Sequence, residues 1–158
     1  VTRIFSFFLL TAVLLTACVG TEQRADPRPG IQWRGLADGR AEAAESGKPM
    51  IVDFFFGEDC HRCAMLEKQV YGSGEVCEKI IEHFVPIRID LTRELTADEQ
   101  KLADEFKSGG ECMLLFLDAK GEVISNKDGV NLCFMGMVTQ QQFLAYLDDV
   151  LRSGGNTP

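Results

Sequence analysis

Residues 50–56, Met50-Ile51-Val52-Asp53-Phe54-Phe55-Phe56, form a near-continuous apolar run of strand length that stops just short of a cysteine pair, Cys60-His61-Arg62-Cys63. Such a run reads as a strand covered on both faces, so the chain has to pack other elements above and below it. From Cys60 onward the spacing changes, and Cys63, Leu66 and Val70 recur at helical intervals. The first cysteine of a CxxC is thereby placed where a buried strand turns into a helix. Unpaired amides and the helix dipole favour a thiolate there. The second cysteine, about one turn in, lies within reach of a mixed disulfide on the first.

The remaining pattern surrounds that strand with helices. Ile31 to Trp33 is a short strand candidate, and Leu36 to Ser46 is an Ala-rich helix stopped by Gly47-Lys48-Pro49. A helix from about Glu75 to Phe84 puts Val76, Ile80, Ile81 and Phe84 on one face, and Val85 to Asp90 is again a strand. Thr96-Ala97-Asp98-Glu99 and Thr139-Gln140-Gln141-Gln142 match the capping box and open two further helices, the last striped by Phe143, Leu147, Val150 and Leu151. Between them lie strand candidates at Cys112 to Leu117 and Leu132 to Met135, joined through an Asp118-Ala119-Lys120-Gly121 turn and a hairpin from Glu122. This order predicts an α/β domain with a central mixed sheet flanked by helices.

The 158 residues, 46% of them hydrophobic, suffice for one domain with a core and leave little for a second. Net charge of -8 argues against nucleic acid and an anionic membrane surface as main partners, since both require a basic face. At the N-terminus Arg3 precedes an apolar run from Ile4 to Leu15, and Leu15-Thr16-Ala17-Cys18 resembles the bacterial lipobox. Residues 1–17 then read as a lipoprotein signal peptide and Cys18 as the lipidated cysteine. Residues 18–30 form a flexible tether, 31–153 the folded domain and 154–158 a disordered tail. Removing residues 1–17 would take away Arg3, the single charged side chain among them, so the net charge would go from -8 to -9. Export places the remaining cysteines where disulfides persist. By resemblance to Gram-negative sorting, and only in a source with two membranes, Val19 permits transport of the lipoprotein to the outer membrane.

Asp53 and Phe54 in the strand, Lys48-Pro49 before it, Glu58 two residues before Cys60, Leu66-Glu67 on the following helix and Gly136 before the last helix resemble the thioredoxin-like superfamily. Within it, they are most similar to the C-terminal domain of the DsbD thiol:disulfide interchange protein and its stand-alone lipoprotein relatives. The resemblance covers about Ile31 to Arg152 and implies a three-layer sandwich. It also implies that Cys60 is the exposed nucleophile, Cys63 the resolving thiol, and Asp53 a buried carboxylate that helps deprotonate Cys63. No cofactor is implied beyond the Cys60–Cys63 disulfide. The implied partners are disulfides of exported proteins and a membrane electron donor or acceptor.

Two departures qualify that resemblance. The family's Trp before the first cysteine is Asp59 here, whose charge disfavours a Cys60 thiolate while Arg62 and protonated His61 favour it. His83, near a helix end, reads as an exposed cap. The family's cis-proline facing the CxxC is also missing: prolines stand at 27, 29, 49, 86 and 158, and Gly110-Glu111-Cys112 occupies the place. A cis bond before Cys112 would cost about 2.5–4 kcal/mol, against about 0.5–1 before proline. Six cysteines with one lipidated leave five, an odd number. For Cys77 and Cys133 the sequence leaves open small buried hydrophobes, a structural disulfide from among Cys77, Cys112 and Cys133, or a part in a relay or metal site. A soft Cu(I) or Zn(II) site built from Cys60, Cys63 and Cys112 is the alternative function, and a redox-inert interaction module a third.

Overall fold

The structure is a computed structural model and describes residues 30–107, 114–131, 133–134 and 139–154. The expected signal peptide, Cys18, all of the tether but Gly30, and Glu111 and Cys112 with the question of a cis bond there lie outside the described residues.

Helix α1 (Leu36–Ser46) ends where Gly47 takes a φ of 72° and returns its amide to the Ala43 carbonyl. Strand β1 (Met50–Phe55) follows, and after the CxxC turn come α2 (His61–Met65) and a π-helical turn, Leu66–Tyr71. The helix predicted over Cys60 to Val70 is therefore present but changes pitch halfway, with Gly72 donating to the Glu67 carbonyl at 2.9 Å, five residues back. Beyond it lie α3 (Gly74–His83), β2 (Val85–Asp90), α4 (Ala97–Lys107), β3 (Leu114–Leu117), β4 (Cys133–Phe134) and α5 (Gln140–Gly154). Both capping boxes close: Thr96 and Glu99 bond reciprocally at 2.9 and 3.3 Å, and Thr139 and Gln142 at 3.0 and 3.3 Å.

The sheet runs β2-β1-β3-β4, with β1 parallel to β2 and antiparallel to β3, which is antiparallel to β4. Strand alternation divides the apolar residues between two layers. Met50, Val52 and Phe54 join Ile87, Ile89, Leu115 and Leu117 against α1 and α4. Ile51, Leu114 and Phe116 join Cys63, Leu66, Val76, Ile80, Phe143 and Leu147 on the opposite side, against α2, α3 and α5. Asp53, by the same alternation, belongs to the side of Cys63. This is the three-layer α/β sandwich expected from the sequence.

Ile31 to Trp33 does not form the predicted strand. A single parallel bridge joins Arg34 to Ile87, with the Arg34 amide donating to Pro86 O and the Arg88 amide to Arg34 O, both at 2.9 Å. The next rung toward the N-terminus needs an amide at residue 86 to reach Gln32 O, and residue 86 is proline. Gln32 O instead accepts from the Arg34 guanidinium.

Gly39 lets α1 approach β2. A Cβ on it would lie 2.3 Å from Ile87 Cγ1 and 2.5 Å from Cδ1, and Ile87 is fully buried. Alanine would favour the helix by about 1 kcal/mol over glycine. The overlap costs about 1–3 kcal/mol, because a β-branched side chain with no free space moves little. Gly39→Ala is expected to be destabilised by up to about 2 kcal/mol net in denaturant titration; a variant more stable than the parent would show that Ile87 repacks freely.

Candidate redox site

The turn between β1 and α2 depends on Gly57, whose φ of 94° suits glycine. It delivers Cys60 as the N-cap of α2, where the Cys60 Sγ accepts the Cys63 amide at 3.1 Å. Cys60 and Cys63 are joined as a disulfide with Cα atoms 5.2 Å apart. Their environments differ. Cys60 is half-buried, whereas Cys63 is 4% exposed and packs into the layer under α2. A partner sulfur can reach the first and not the second. Glu58, Asp59, His61 and Arg62 are all exposed around this turn, so two acids precede Cys60 and two basic side chains follow it.

Beneath lies a cluster of charges. Asp53 is 3% exposed and stands opposite Arg88 in the parallel β1–β2 register. Arg88 Nε donates to Asp53 Oδ2 at 2.9 Å, Nη2 lies 2.7 Å from the same oxygen in an ion pair, and Nη2 also meets Glu67 Oε1 from the π-turn. Burial pushes the Asp53 carboxyl up to about 6, Arg88 pulls it down, and Glu67 adds a smaller upward push. The Arg88 guanidinium lies 4.2 Å from the Trp33 ring centre and 5.0 Å from that of Phe55. Trp33 meets Tyr71 edge-on at 5.2 Å, and Tyr71 meets Phe143 at 6.1 Å. Burial holds the Tyr71 hydroxyl well above its ordinary ionisation range, and its oxygen has no hydrogen-bond partner among the described residues.

Sequence reading singled out Asp53 and the match at Glu67 but missed Arg88, Trp33 and Tyr71. The signal for Arg88 was present: one cation interrupts Val85-Pro86-Ile87-Arg88-Ile89, as one acid interrupts β1. His83 is exposed at the end of α3, as expected. Cys77 on α3 is a buried thiol. Cys133 is not a buried small hydrophobe: it is half-buried and held in a disulfide whose partner lies outside the described residues. The alternative soft-metal site would need the reduced pair, and its third cysteine, Cys112, lies outside the described residues.

A dithiol at a helix start, closed as a disulfide on a three-layer sandwich, defines a thiol:disulfide oxidoreductase. The thioredoxin-like domain family matches residues 36–151, and the chain belongs to that family. Its fold is similar to a thioredoxin from Thermus thermophilus, at TM-score 0.61 and 22% identity over 80% of this chain and 92% of the other. It is also similar to a DsbH oxidoreductase, at TM-score 0.58 and 16% identity over 84% of this chain and 94% of the other. A third neighbour is the oxidised C-terminal domain of DsbD from Neisseria meningitidis, at TM-score 0.50 and 18% identity, covering 74% and 97%.

Proposed function

We propose that the mature protein is a membrane-tethered, extracytoplasmic thiol:disulfide oxidoreductase that reduces or interchanges disulfides of exported proteins. The asymmetry of the pair supports this reading: Cys60 is half-open at the helix start while Cys63 is buried on the side of Asp53. In the reduced protein the Cys60 thiolate attacks one sulfur of the partner disulfide, forming a mixed disulfide and releasing the other partner sulfur as a thiolate that takes up a proton. Cys63 gives its proton to ionised Asp53 and attacks Cys60 Sγ. The second partner sulfur leaves, the Cys60–Cys63 disulfide forms, and two electrons have passed to the partner. A membrane donor would return the pair to the dithiol.

Equilibration of the purified protein in glutathione buffers of graded potential, read by alkylation and mass, tests the function. Cys60 and Cys63 are expected to open and close as one two-electron couple, with a tenfold change per about 30 mV. A pair that no physiological thiol reduces would overturn the assignment. The tether is tested separately: Cys18→Ala is expected to move the protein from the membrane to the soluble fraction, and retention of that variant on the membrane would overturn lipidation as the anchor.

A further inference from the structure

We propose that Trp33 and Arg88 form a positioning unit for the redox site, in which Trp33 and Phe55 flank the Arg88 guanidinium and Arg88 holds Asp53 and Glu67 on a single cation. The unit is assembled from four separate parts of the chain. The Arg34–Ile87 bridge fixes the opening segment along the outer edge of β2 and brings Trp33 over Arg88. Strand β1 supplies Asp53 and Phe55, β2 supplies Arg88, and the π-turn behind the CxxC helix supplies Glu67. An arginine side chain left to itself has several rotamers open to it, most leading to solvent. Here the side chain is 21% exposed, and its guanidinium lies 4.2 Å from the centre of one aromatic ring and 5.0 Å from that of another. Its planar fork meets both carboxylates, which a lysine ammonium does not reproduce.

The consequence falls on the buried acid. Among the described residues, the charged and titratable groups acting on Asp53 are Arg88 from β2 and Glu67 and Tyr71 from the π-turn. Its neighbour on β3 is Leu114, and Arg34 of the opening segment turns away to Glu42 at 2.8 Å. Arg88 is thus the one cation acting on Asp53 among the described residues, and every other ionisable neighbour is acidic. Displacing it makes Asp53 hold its proton to higher pH, which narrows the range in which Asp53 can accept the proton of Cys63. Trp33, outside the CxxC segment, contributes by keeping the cation in place. This last step rests on the redox reading of Cys60–Cys63; the placement of Asp53's proton does not.

Carboxyl carbon-13 NMR of the oxidised protein, following Asp53 through a pH titration, reads the unit directly. Arg88→Gln is expected to raise the Asp53 midpoint by about one pH unit or more, a tenfold gain in proton affinity, and Trp33→Ala by about half a unit. Trp33→Phe, which keeps a ring, should restore the parent midpoint, and Arg88→Lys should fall between. If Arg88→Gln fails to fold, Arg88→Lys with the two Trp33 variants carries the test. An unmoved midpoint in Trp33→Ala, or one that Trp33→Phe does not restore, overturns the role of Trp33. An unmoved midpoint in folded Arg88→Gln overturns the unit. The pH profile for reduction of a protein disulfide should shift in the same sense and by the same amount. A midpoint that moves while that profile stays fixed overturns the link to thiol chemistry. Absence of any reduction by the parent protein overturns the proposed function and leaves the NMR result standing.

Discussion

Cys60→Ser is expected to bring disulfide reduction down to the uncatalysed background, a loss on the order of 10³-fold or more, as for removal of a nucleophile elsewhere. Cys63→Ser is expected to lose turnover equally but to accumulate a mixed disulfide with the partner. The difference follows from geometry. The Cys60 sulfur is accessible and receives the Cys63 amide at 3.1 Å, so negative charge on it is stabilised in place. The Cys63 sulfur lies in the core and is bonded to Cys60. With Cys63 gone, the first displacement still runs and the second has no nucleophile. Non-reducing mass spectrometry of each variant after incubation with a disulfide-bonded protein checks both halves. A mixed disulfide trapped by Cys60→Ser instead would reverse the two roles.

Much of this was legible in the chain because local chemistry and global packing agree where they were read. The two-layer division of β1, the capping boxes at Thr96 and Thr139, and the placement of Cys60 at a helix start are short-range signals, and all three are realised. What escaped depends on register across distant segments. Nothing local says that Arg88 faces Asp53, since that requires Met50 to pair with Val85 and the two strands to run parallel. Trp33 looked like part of a strand because a tryptophan between polar neighbours fits the alternation. It was Pro86, 53 residues later and without an amide hydrogen, that ended the ladder at Arg34. The π-turn was invisible for a related reason: Leu66, Val70 and Tyr71 satisfy a helical pattern whether the turn closes on four residues or five, and the bond from the Gly72 amide to Glu67 O distinguishes them. A disulfide at Cys133 was among the readings the cysteines left open, and their count could not choose it.

Asp53→Asn is expected to make the oxidised protein more stable and the reduced protein slower, with the two effects appearing in the same pH range. In the native state the carboxyl titrates at about 6, against an ordinary value of 3.8, chiefly because burial penalises its charge. A carboxyl raised in this way adds stability in its protonated form. That contribution is complete below pH 3.8 and is lost as pH rises through 6. Above that range the protein carries an ionised, 3% exposed carboxylate at a cost of up to about 3 kcal/mol relative to its protonated form. Asparagine removes the cost and keeps an oxygen that accepts from Arg88, while Glu67 retains its own bond to the guanidinium. Denaturant titration should therefore find Asp53→Asn more stable than the parent by about 1–3 kcal/mol at pH 7.5 and nearly equal to it at pH 3.5. Activity should move the opposite way. Without a carboxylate to take the Cys63 proton, resolution of the mixed disulfide is expected to slow by about 10²–10⁴-fold at pH 7, and less as the pH approaches the range where the thiol ionises unaided. An equal stability difference at both pH values would mean that Asp53 is not the group titrating near 6. A stabilised variant with undiminished turnover would mean that the buried charge is kept for something other than moving the proton of Cys63.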